Sequence, residues 1–86
     1  GDVGMMTLAE AASRAESVAP DFLSQADAVP IYEDAGRVVV AYLREAPEGV
    51  LLDLFVAVVE RDTGLASVRP FVDVIDILDG MRDLTA

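Results

Sequence analysis

Four aspartates near the C-terminus, Asp73, Asp76, Asp79 and Asp83, recur at intervals of three and four residues, the spacing that gathers side chains on one side of a helix. Carboxylate oxygens suit calcium or magnesium, but ligands on one rigid helix cannot wrap a cation, and the spacing of an EF-hand loop is absent. The series therefore reads as a solvated face or as a docking surface for a basic partner. Asp62-Thr63-Gly64 has the residues of the aspartic-protease triplet, whose chemistry needs two carboxylates sharing one proton between two lobes. A single copy in so short a chain does not supply that pair. Asp53 stands alone in an apolar run, either facing water, the cheaper arrangement, or buried and paired with an arginine.

What the chain lacks narrows its chemistry further. It has no histidine and no cysteine, and its six basic residues are all arginine. The commonest general base, the thiolate nucleophile, the Schiff-base amine and every nitrogen or sulfur metal ligand are thus missing. The four serines and three threonines are weak nucleophiles without a base. We expect no catalytic residue, no cofactor and no metal. A net charge of −10 argues against nucleic acid and favours a basic protein partner. Hydrophobic residues make up 53% of the chain, enough for a folded core. No apolar run reaches the roughly 20 residues of a membrane span, and no leader-like segment opens the chain, so a cytoplasmic, membrane-free protein is expected.

The elements that must position these residues follow from hydrophobic period. Val50 to Arg61 alternates as one long strand, with Leu52, Leu54, Val56 and Val58 on one face and Leu51, Asp53, Phe55, Ala57 and Val59 on the other. Both faces are apolar, which predicts a central strand covered above and below. Thr7-Leu8-Ala9-Glu10 has the form of a capping box and predicts a helix to Val18 with a narrow, alanine-rich apolar side. After Pro20, Phe22 and Leu23 are expected to plug one end of the core. A strand from Val29 to Glu33, with Pro30 suited to an edge, leads through a turn at Gly36, expected at positive φ, into a second strand from Arg37 to Arg44. Asp62-Thr63-Gly64 then turns the long strand onto Leu65 to Arg69. A last helix is expected over Val72 to Asp83, its apolar side Phe71, Val74, Ile75, Leu78 and Met81 or Arg82, with fraying or an early stop signalled by Gly80.

The predicted fold is α+β: a four-stranded antiparallel meander sheet with an N-terminal and a C-terminal helix. Residues 1–6 are expected to form a flexible N-terminus and 7–86 a single domain. The capped alanine-rich helix, the hairpin and the strand ending in Val59-Glu60-Arg61-Asp62-Thr63-Gly64 resemble the small helix-plus-meander modules of the PepSY type. The same layout is similar to certain immunity proteins of bacterial polymorphic-toxin systems, whose closing strands carry a similar Asp-Thr-Gly turn before a short acidic helix. The likeness spans Thr7 to Met81 and implies an inhibitory or regulatory binding role with no catalytic residues to carry over.

Two helices of about three turns cover one face of such a sheet. The other, with Val38, Val40 and Tyr42 on one side of their strand and Val39, Ala41 and Leu43 on the other, is left apolar. Val38, Val40 and Tyr42 are accordingly expected to meet a second chain, most simply in a homodimer. Two functions remain: an acidic protein-binding module, such as an inhibitor or immunity-type protein for a basic partner, or a structural subunit that homodimerises through its apolar sheet face.

Overall fold

The computed structural model describes residues 6–47 and 49–85, with the backbone alone at 45, 46 and 50–53. The elements run α1 (Leu8–Val18), a 3-10 turn (Asp21–Leu23), β1 (Asp27–Glu33), β2 (Arg37–Ala46), β3 (Gly49–Glu60), β4 (Ala66–Pro70), α2 (Phe71–Leu78) and β5 (Arg82–Asp83). They build an α+β fold on one antiparallel sheet in the order β4-β3-β2-β1-β5. The meander is as expected, but a fifth strand follows α2. The helix predicted to reach Asp83 ends at Leu78, and past Gly80 the chain straightens so that Arg82 and Asp83 pair with Glu33 and Tyr32. β3 lies inside the sheet, yet the middle strand is β2.

The two helices lie on opposite faces, where the sequence reading put both on one. Met6, Ala11, Ala15 and Leu23 pack with Val38, Val40, Tyr42, Ala57 and Val59 on the α1 side. Val74 packs with Ile31, Val39, Ala41, Val56 and Val58 on the α2 side. Alternation along β2 explains this division: odd-numbered valines and even-numbered ones point to different roofs, and all need one.

Local chemistry fixes the connections. At the start of α1, Thr7 Oγ1 accepts from the Glu10 amide at 3.1 Å while Glu10 Oε1 accepts from the Thr7 amide at 3.1 Å, the reciprocal capping box that the sequence predicts. At the β1–β2 turn Asp34 Oδ1 accepts from the amides of Gly36 (2.8 Å) and Arg37 (2.7 Å). That side chain does what a positive φ at Gly36 was expected to do; among the described residues the positive-φ glycines are Gly49 and Gly64. Gly64, at φ 76°, closes the β3–β4 turn with its amide donating to the Glu60 carbonyl at 2.8 Å, and a Cβ there would sit 3.4 Å from Met6 and Arg14.

Two ladder irregularities shape the sheet. In β1 an extra residue, Ile31, falls between the Pro30↔Val40 and Tyr32↔Val39 pairs, next to the proline that cannot donate. Between β2 and β3, Ala41 faces Val56 but Leu43 faces Leu52, so β3 holds two more residues than its neighbour there. The surplus is even, and the alternation survives it.

Arg61 fastens the start of the chain to this frame. Its Nη1 donates to Glu33 Oε1 at 3.0 Å and to the Asp34 carbonyl at 3.1 Å, and its Nη2 to the Met6 carbonyl at 2.8 Å. Met6, expected within a flexible terminus, is therefore buried and held; residues 1–5 lie outside the described residues. The Arg61 side chain is 11% exposed, so its bonds are only weakly screened. We expect Arg61→Ala to destabilise the protein by about 3 kcal/mol in urea melts, and Arg61→Lys, which lacks the planar fork, to recover only part of that. An unchanged midpoint for Arg61→Ala would show that the clamp is ornamental.

Candidate protein-docking surface

The predicted site residues divide into three groups. Asp73 and Asp76 project from α2, Asp79 caps its C-terminal end, and all three are exposed. Asp83 does not continue their row: it lies on β5, and its Oδ1 accepts from the amide and hydroxyl of Thr85 at 2.8 and 2.7 Å. Val38, Val40 and Tyr42 are wholly buried beneath α1, so they offer a partner no surface. The expectation failed because it placed both helices on one face. Asp53 falls among the side chains outside the described residues.

Tyr42 has a structural task instead. At the end of α1 the Ala19 amide turns to the Glu16 carbonyl at 3.3 Å rather than reaching back to Ala15. The Ala15 carbonyl, lacking that partner, accepts from the Tyr42 hydroxyl at 2.6 Å across the core. Burial, aided by the nearby Glu16 carboxylate, pushes the Tyr42 phenol from 10.0 up to about 12.

The outward side of α2 is mixed. Phe71, Val74, Ile77 and Leu78 turn inward, whereas Val72 is 71% exposed and Ile75, assigned from sequence to the inward side, is 50% exposed. With eight residues the helix is too short to choose a single stripe; its apolar residues surround it and some must face water. Leu54, on the β3 face that α2 shares, is 79% exposed. Val72 and Ile75 thus alternate with Asp73, Asp76 and Asp79, and among the described residues none of these three carboxylates has an ion pair.

Other features are less suited to recognition. A cleft of about 460 Å³ near the 3-10 turn is lined by Asp21, Phe22, Ser24, Gln25, Asp27, Leu43 and Arg44, but Arg44 already donates to the Phe22 carbonyl at 2.9 Å. Leu23 plugs the core as expected. Phe22 does not: it is exposed and meets the half-buried Phe55 edge-on, with ring centroids 5.4 Å apart. Among the described residues no three carboxylates converge on a cation-sized space.

Compared with known protein families, curated proteins and solved structures, the chain matches none.

The Tyr42 bond has a measurable signature. A phenol whose folded pKa lies above its unfolded value stabilises the protein fully below pH 10 and ceases to do so as pH rises through about 12. Alkaline titration followed by circular dichroism should show stability falling across that window. Tyr42→Phe should cost about 1–2 kcal/mol at neutral pH, by orphaning the Ala15 carbonyl, and should flatten the alkaline fall. An identical alkaline profile in Tyr42→Phe would exclude this phenol as its source.

Proposed function

We propose that this chain is a small acidic protein-binding module whose contact face is the outward side of α2 with neighbouring Leu54, and whose partner presents a basic, amphipathic segment. One observation carries the reading: Val72 and Ile75 stand 71% and 50% exposed among Asp73, Asp76 and Asp79, carboxylates that form no ion pair among the described residues. Apolar groups at the centre of such a face gain from leaving water, and the acidic rim steers the partner and sets its orientation. The net charge of −10 extends that attraction, screened beyond about 8 Å at physiological salt. The resemblance of its residue pattern to immunity proteins supports an inhibitory role, in which covering a basic working surface of a toxin or enzyme suffices and no chemistry is needed.

Selection from an unbiased random-peptide library on the immobilised chain tests this reading. The recovered peptides should be rich in arginine and lysine interspersed with apolar residues. Their binding should vanish on an Asp73→Lys, Asp76→Lys, Asp79→Lys chain whose circular dichroism is unchanged. Neutral or acidic winners, or indifference to the triple substitution, would remove the acidic face from recognition.

A further inference from the structure

We propose that the partner segment binds as an extended strand added to the open half of β3, Gly49–Leu54, in line with β4 and beside the first turn of α2; this rests on the acidic-module reading above. β3 pairs with β2 along nearly its whole length, from Arg37↔Glu60 to Ala46↔Gly49. Its pairs with β4 run only from Val59↔Ala66 to Phe55↔Pro70, where the chain leaves the sheet to become α2. Beyond that point, among the described residues, no strand lies on the second side of Gly49–Leu54. The regularly paired part, Gly49–Leu52, leaves at about 3.4 Å per residue roughly 14 Å of regular edge, and the irregular Asp53–Leu54 end follows it.

The contrast with the outer edges of the sheet is informative. β4 is five residues long and ends in Pro70. β1 carries Pro30 and the extra residue Ile31, and β5 covers Tyr32 and Glu33. Prolines, bulges and short strands are the usual means of keeping stray strands off an edge. Gly49-Val50-Leu51-Leu52-Asp53-Leu54 has no proline and no basic residue, its irregularity is confined to the Asp53–Leu54 end, and Leu54 beside the gap is the most exposed large apolar side chain described. Strand addition draws affinity from main-chain hydrogen bonds and specificity from alternate side chains.

Charge selects the occupant. Asp53 lies within this stretch and Glu45 and Glu48 beside it in sequence, so a second copy would bring like charges together. A strand alternating apolar residues with lysine or arginine complements both the edge and the aspartates of α2.

The probe is a capped peptide of alternating valine and lysine, added to the isotope-labelled full chain. At about nine-tenths occupancy, exchange of the edge-facing amides within Leu51–Leu54 should slow about tenfold. The same peptide N-methylated at alternate residues should not bind, and Leu54→Lys, a change at an exposed position, should abolish binding by the unmodified peptide. Binding with no slowing at Leu51–Leu54, or equal binding of the N-methylated peptide, overturns strand addition while leaving the acidic face intact as a docking surface. Slowing that grows with protein concentration in the absence of peptide would assign the edge to a second copy and overturn the basic occupant. A peptide that fails to bind at all overturns the proposal.

Discussion

Val38, Val39, Val40, Ala41 and Tyr42 are all wholly buried, and an alternating strand achieves that only when both faces of its sheet are roofed. In 86 residues this is a severe demand, and the chain meets it unevenly. α1 presents alanines, Ala11 and Ala15, so its backbone lies close to the sheet and its last turn is near enough for Tyr42 to reach. α2 has eight residues, about 12 Å of helix, over strands of up to 12 residues. Leu54, 79% exposed on the β3 face that α2 shares, is what the short second roof leaves uncovered.

The electrostatics follow the same division. Arg61, one of only six cations, sits inside the structure, where three hydrogen bonds join the start of the chain, the β1–β2 turn and the end of β3. Glu33 and the carbonyls of Asp34 and Met6 complete this clamp. Counter-charge is thus concentrated at the end of the sheet where the chain must be tied down. Arg37 and Arg69 line a pocket with Asp73, but among the described residues none of Asp73, Asp76 and Asp79 forms an ion pair.

Much of the fold was legible in the residues because local signals and global pattern agreed. The capping box of Thr7 and Glu10, the meander order, the turn at Asp62-Thr63-Gly64 and the long strand all appear where the sequence placed them, although Leu54, expected under a cover, is 79% exposed. The distribution of the helices between faces was not legible: periodicity tells which side of a helix is apolar, not which side of a sheet it seeks. That one ambiguity carried Val38, Val40 and Tyr42 to the surface in the sequence reading and into the core in the structure. β5 escaped notice because two residues carry no period, and Arg61 because nothing in a linear pattern marks a cation that will be wrapped by carbonyls. Gly80, by contrast, signalled the early end of α2, and taking it at face value would have separated Asp83 from Asp73, Asp76 and Asp79.

The two-residue surplus in β3 opposite Tyr42 has a consequence for how this architecture can change over generations. A single inserted residue would rotate every side chain beyond it to the wrong face, but insertions or deletions in pairs leave the inward and outward sets intact. The distal part of the β2–β3 hairpin, past Leu43 and Leu52, lies beyond the five-residue β4 and beyond the strongly buried part of β2. It can therefore lengthen or shorten in steps of two without disturbing the packed centre. Related chains could carry arms of different reach on an unaltered body, a way for lineages to diversify their specificity while the folding problem stays solved.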